Sequence, residues 1–173
     1  MYYKFVMRKI LATSFLAIFM CCAGALAADL DIGTHASFYA PPEGGGNTLM
    51  TGVDVTYRVG PYFSARGDLD NSSYQTADHK YSLTSLTVTL IGHLMGASNI
   101  DPYLGAGLGL YDKKIDGITN SSTGLNFLTG IAAHFQTFNA GIEIKYVIPD
   151  TRYMDTGFYT VGANMTGGMH IEL

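Results

Sequence analysis

Two groups of residues in this chain have the types and spacing to do chemistry. His35 and Ser37 lie two places apart, and Asp54 follows further along. A hydroxyl, an imidazole and a carboxylate are the set a hydrolase needs: a nucleophile, its base and a group that orients the base. Spacing by two on an extended chain is common by chance, and no lipid-deacylase motif accompanies these residues, so they read as non-enzymatic. The second group is His93, His134 and His170, with Glu172 close to the last. Imidazoles and carboxylates are common transition-metal ligands. Polar filling of an interior is the simpler reading of them, and no metal or other cofactor is expected. Gly105, Gly107 and Gly109 alternate as in a nucleotide-binding loop, but no helical pattern follows whose N-terminus would hold a phosphate.

The remaining ionisable residues point to the elements that carry them. Asp54 and Arg58, Arg66 and Asp68, Glu143 and Lys145, and His170 and Glu172 each occupy one parity of a segment whose other parity is apolar. In the clearest case Phe138, Ala140, Ile142, Ile144, Tyr146 and Ile148 alternate with Asn139, Gly141, Glu143 and Lys145. Successive side chains on a strand point to opposite faces, so this is a strand with one polar and one apolar side. Eight such segments run approximately over 30–40, 49–59, 62–69, 81–95, 103–111, 125–135, 138–148 and 157–173, and most approach the roughly 9–11 residues a tilted strand needs to cross a bilayer.

Composition agrees with an all-β chain and excludes other classes. Charged residues are 14% of the 173, the formal charge is −4, and there are 21 glycines, 12 tyrosines and 9 phenylalanines. Such a chain lacks the charge that keeps a disordered segment solvated and the basic field that holds nucleic acid. Residues 1–27 read as an export signal: Lys4, Arg8 and Lys9 precede an apolar run from Ile10 to Cys22, and Ala25-Leu26-Ala27 is a small-x-small cleavage site. Cleavage removes those three basic residues, taking the charge from −4 to −7, and removes both cysteines. The mature domain, residues 28–173, then has no disulfide to stabilise it and must rely on a closed sheet or a membrane.

The connections carry an independent pattern. Gly60-Pro61, Gln136-Thr137 and the stretch 96–102 are short turns, whereas 41–48, 70–80, 112–124 and 149–156 read as longer polar loops. Short turns at one end and long loops at the other mark an up-and-down barrel of the outer membrane. The loops place Glu43, Asp70, Asp78, Asp112, Asp116, Asp150 and Asp155 against Lys80, Lys113, Lys114 and Arg152, an acidic outer rim. Alternation alone leaves open which face is outside, because a soluble lipocalin-like barrel shows the same period with its apolar face inward. Aromatics near both strand ends favour the membrane version, as interfacial girdles require. They are Tyr57, Tyr62, Phe63, Phe135 and Phe138 at one end, and Tyr39, Tyr81, Tyr111, Phe127, Tyr146 and Tyr159 at the other.

Two stretches are motif-like. Asp101-Pro-Tyr-Leu-Gly-Ala-Gly-Leu-Gly-Leu-Tyr111 resembles the fifth strand of the small outer-membrane barrels grouped with OmpA, OmpX and the opacity adhesins. The end of the chain, with Gly168, Ile171 and Leu173 in alternation, resembles the C-terminal assembly signal of that family, Leu173 standing where phenylalanine is usual. The resemblance implies a monomeric, eight-stranded antiparallel transmembrane β-barrel in the bacterial outer membrane, handled by the barrel-assembly machinery and surrounded by lipid and lipopolysaccharide. No further domain is expected after Leu173.

Eight strands leave an interior just wide enough for side chains to fill. The expected lumen is therefore an ionic network of Asp54, Arg58, Arg66, Asp68, Glu143, Lys145 and Glu172, with Asp31 and the histidines beside it. A filled polar lumen implies a structural or surface-interaction protein that meets a host or cell-surface ligand through its outer loops. The alternative is a narrow conduit for small or hydrophobic solutes, as in the similar OmpW-type barrels. A lipid-modifying enzyme is the weakest reading.

Overall fold

The computed structural model describes residues 29–41, 46–96, 98–136, 138–150 and 157–170. Eight antiparallel strands follow one another: β1 (Asp29–Tyr39), β2 (Thr48–Arg58), β3 (Phe63–Gln75), β4 (Lys80–His93), β5 (Ile100–Ile115), β6 (Ile118–His134), β7 (Phe138–Pro149) and β8 (Phe158–His170). Each pairs with its neighbour in sequence, and β8 pairs back onto β1, closing the barrel. Closure leaves no unpaired strand edge, the condition for a sheet to sit in lipid. The export signal, Glu43, Arg152, Asp155, Ile171, Glu172 and Leu173 lie outside the described residues.

The closed sheet decides which face is outside. Leu90 is 70% exposed and Ile142 66%, whereas Thr89, Asp101 and Asn126 are 0% exposed. Apolar side chains therefore cover the wall and polar ones fill the interior, the reverse of a soluble barrel. Tyr62, Phe63, Phe135 and Phe138 are exposed around the short-turn end, and Phe127, Tyr146 and Tyr159 are exposed towards the other. Several interior positions are glycine because a neighbour occupies the space: a Cβ on Gly109 would come within 2.5 Å of the Tyr111 hydroxyl.

Three expectations need correction. Tyr39, Tyr81 and Tyr111 are not girdle residues; they are 1%, 8% and 1% exposed and lie inside. Their parity decides it: Tyr39 falls two residues beyond Ser37 on the same inward face of β1. With Tyr74, Phe158, Met50, Leu83 and Val147 they form a buried apolar layer. Tyr74 stacks on Tyr81 at 4.8 Å, and Phe158 meets Tyr39 and Tyr111 edge-on at 5.1 and 5.8 Å. The interior is thus polar in the middle and aromatic at its outer end.

Second, 70–80 and 112–124 are not chiefly loops. β3 runs to Gln75, and β5 and β6 have 16 and 17 residues, well beyond the roughly 9–11 that cross a bilayer. From the polar boundary onward the outward-facing positions turn polar (Asn71, Ser73 and Gln75; Asp112 and Lys114), so the hydrophobic period ends while the hydrogen-bond ladder continues. The β5–β6 hairpin closes through Asp116 (φ 49°) and Gly117 (φ 88°). Two positive φ values in a row are the mark of a type I′ turn, for which Asp-Gly is a preferred pair. Third, Asp70 is not on the rim; it is 3% exposed and faces the lumen.

The two projecting hairpins are clasped at their outer ends. The Asp116 amide donates to the Lys80 carbonyl at 3.0 Å, and the Asp116 carboxylate accepts from the Lys80 amide at 2.9 Å and from His79 Nδ1 at 2.5 Å. These bonds hold the exposed Asp116 carboxyl below its ordinary value, the Lys80 amide contributing most. A lowered carboxylate pKa stabilises the clasp above the ordinary range, and that contribution is lost as pH falls through the depressed value. Asp116→Asn is therefore expected to speed amide hydrogen exchange at 76–80 at neutral pH. Acidification through the depressed Asp116 value should lower the protection factors of the same amides, measured against their intrinsic rates at each pH, in the unsubstituted protein, with the barrel intact in both cases.

Candidate functional site in the barrel lumen

The middle of the lumen is built from inward positions of five strands, four of them adjoining and the fifth facing them. β3 supplies Arg66, Asp68 and Asp70, because alternation puts every second residue of Arg66-Gly-Asp-Leu-Asp70 inside. Across the barrel β7 supplies Glu143 and Lys145, and β1, β2 and β4 supply His35, Asp54, Ser85 and Thr87.

Arg66 is the hub. Its Nη1 and Nη2 donate to the two oxygens of Glu143, each at 2.8 Å, and its Nε lies 2.9 Å from Asp68. A bidentate guanidinium–carboxylate pair is among the stronger polar contacts a protein makes. Lys145 Nζ sits 3.6 Å from Asp68 and 3.5 Å from Asp70. Neutral donors meet part of the remaining acceptor capacity: Thr87 donates to Asp68 at 2.9 Å, Ser85 to Asp70 at 2.8 Å and Tyr103 to Glu143 at 3.0 Å, while Asp68 Oδ1 and Asp54 Oδ2 receive no hydrogen bond. Asn164 in turn donates to the Tyr103 hydroxyl at 3.2 Å. Burying charges in this way is tolerable only when each is paired and its other sites are hydrogen-bonded.

Of the residues expected in one network, the structure brings Arg66, Asp68, Glu143 and Lys145 together. Asp54 joins through His35, whose Nδ1 lies 3.3 Å from it. Arg58 stands apart, 3.4 Å from Asp31. Asp70 and His35 are members that sequence reasoning left out of the network.

The hydrolase-like group does not assemble. His35 Nδ1 faces Asp54 and His35 Nε2 faces Asp70, so both ring nitrogens are taken by carboxylates and none meets Ser37. Of the three late histidines, His93 and His134 converge on one oxygen of Asp101, at 2.5 and 3.6 Å, and His93 Nε2 lies 2.9 Å from Ser64. No cluster of metal-ligating geometry occurs among the described residues, which do not include the His170 side chain.

A model of the outer membrane protein beta-barrel domain matches residues 13–166. The chain belongs to that family. It is a β-barrel protein of the bacterial outer membrane, and solved members of that class have the same fold. Neisserial surface protein A is 18% identical, with 83% of this chain and 98% of that one covered at a TM-score of 0.66. The N-terminal barrel domain of OprF from Pseudomonas aeruginosa is 17% identical, with 82% and 97% covered and a TM-score of 0.57. Ail, the attachment invasion locus protein of Yersinia pestis, solved with the heparin analogue sucrose octasulfate, is 14% identical, with 82% and 97% covered and a TM-score of 0.56. No curated protein sequence matches the chain. Within this family the barrel is a shared scaffold, so what distinguishes one member is its lumen contents and its outer hairpins.

Proposed function

We propose that this barrel is sealed and acts from its surface, through the hairpins that project outward from the membrane. The layered interior carries the reading. An apolar layer around Tyr39, Tyr111 and Phe158 lies above a paired ionic layer around Arg66, and Ile91, Tyr103 and Leu128 pack below. Two cavities along the interior, among the described residues, are small, about 20 Å³ beside His35 and Lys145 and about 50 Å³ beside Arg58 and His134. Each is the size of one or a few waters rather than a solute path. An enzymatic role is disfavoured because both nitrogens of His35 are committed to carboxylates.

The hairpins β3–β4 and β5–β6 give the surface its reach. They continue as paired sheet past the membrane and are tied together at Asp116, so they present a stiff ledge rather than a loose loop. A rigid surface loses less entropy on binding. Ail, with the same fold, was solved with a polysulfated sugar. On this chain the ledge carries Lys80 and Lys114 beside Asp112 and Asp116, with Lys113 over the Tyr81 ring on the inward side, a mixed field suited to a ligand bearing both charge and hydrogen-bonding groups. Replacing residues 113–120 by a two-residue Asn-Gly turn should abolish attachment of displaying cells to host-cell or glycosaminoglycan surfaces while heat-modifiable gel migration is kept. Undiminished attachment would remove the hairpins from the account.

A further inference from the structure

The outer wall is not uniform. On β5 and β6 most lipid-facing positions are large: Leu104, Leu108, Leu110, Leu125, Phe127 and Ile131 are exposed, with the smaller Ala106 and Thr129 between them. On the opposite side a depression of about 810 Å³ crosses β8, β1, β2 and β3, reaches Thr84 on β4, and is also bordered by the inward positions His35, Gly52, Asp70 and Asn164 between the outward ones. Strand register explains it. Ala163 pairs with Ala36, Ala36 with Thr51, Thr51 with Asn71, and Asn71 with Thr84. These five neighbours form one row of small side chains across the sheet. The row before it reads Met165, Thr34, Val53 and Leu69, and the row after it begins Val161, Phe38 and Leu49. Mostly bulky residues, with Thr34 the exception, therefore bank a groove with a floor of small ones.

The two ends of the groove differ chemically. Beyond Ala36 towards the loops the wall still shows Phe38, which is 62% exposed, so this end lies in hydrocarbon. Beyond Asn71 the next outward residue is Ser73, and beyond Thr84 it is Ser82, so that end reaches the polar boundary on the loop side. There Asn71 Nδ2 donates to Thr84 Oγ1 at 2.9 Å. That bond uses one amide proton and leaves the amide oxygen as an acceptor and the threonine hydroxyl as a donor.

We infer that this groove is a binding site for one acyl chain of an outer-leaflet lipid. The chain lies along Thr51, Ala36 and Ala163, and the ester, amide or hydroxyl group next to it bonds to Asn71 and Thr84. The membrane supplies the occupant, and the groove has the apolar length and single polar end of such a molecule. Lipid replaces lipid when the site fills, so the hydrophobic effect contributes little; closer dispersion contact and the polar end provide the selectivity.

The test is photocrosslinking of the full barrel in nanodiscs of phosphatidylethanolamine whose acyl chain carries a diazirine near either the head or the tail. The tail-proximal probe should label around Ala36 and Ala163, and the head-proximal probe around Asn71 and Thr84. Both should exceed labelling of the β5–β6 wall on the order of threefold, a modest enrichment because lipid replaces lipid and only dispersion contact and the polar end select. Filling the floor with Ala36→Leu and Ala163→Leu should bring labelling down to that of the β5–β6 wall with gel migration unchanged. Even labelling around the barrel, the reverse order of head and tail, enrichment that survives the filled variant, or a crosslink between two copies of the barrel at this row would overturn the site. The order of labelling is read on the unsubstituted protein, so it stands even where the double variant fails to insert.

Discussion

Arg66→Ala is expected to lower the urea unfolding midpoint of the barrel in lipid by the equivalent of about 3–5 kcal/mol, the range found when one partner of a buried ion pair is removed. The guanidinium is 8% exposed and is held by Glu143 on β7 and by Asp68 beside it on β3. Removing it takes from Glu143 its two-pronged partner and leaves Asp68 with only Lys145 and Thr87, in a buried space. Lys145 cannot replace it, because its Nζ already serves Asp68 and Asp70. Arg66→Lys should fall between, since it keeps the charge but loses the two-pronged contact with Glu143. An alanine at the exposed rim residue Asp78 should change stability by no more than about 0.5 kcal/mol, as surface substitutions usually do. Equal midpoints for Arg66→Ala and Asp78→Ala would mean that the ionic layer does not hold the strands together.

Phe158→Ala is expected to cost a similar amount, about 3–5 kcal/mol, the usual range for truncating a buried phenylalanine. Its ring is 3% exposed and touches Tyr39 and Tyr111 edge-on from one point on β8. The cavity left behind is ringed by side chains fixed to a closed sheet, which leaves them little room to collapse inward. Tyr159→Ala, one residue on but 52% exposed to lipid, should cost much less. Thermal midpoints of the two variants in the same detergent provide the comparison, and a larger loss at Tyr159 would place the aromatic layer wrongly.

Much of this architecture was legible in the residue order, for a physical reason. Alternation over a strand such as 138–149 is a local property, and so are the short turns that set the strand count. Which residues lie opposite in the lumen is not local. Arg66 and Glu143 are 77 residues apart, and their meeting depends on barrel shear, which no single segment encodes. Their shared polarity marked both as inward, but not as partners. Asp70 was obscured differently: Asp70-Asn71-Ser72-Ser73 is polar on both parities, so the alternation that sorts inside from outside is silent there. The tyrosines were ambiguous by chemistry, since a ring with a hydroxyl suits both an interface and a packed interior. Counting parity from Ser37 places Tyr39 inward without help from the structure. The Asp116-Gly117 turn was likewise present in the sequence as a hairpin signal, masked by the polar composition around it.

The proposed function rests on the lumen layers rather than on any one ligand: a sealed interior confines exchange with the surroundings to the hairpins and the lipid-facing wall. Single-channel recording of the purified barrel in planar bilayers tests that most directly. The account predicts a silent membrane, with no unitary openings for the unsubstituted protein. Regular conductance steps from the unsubstituted barrel would contradict it and assign the lumen to solute passage.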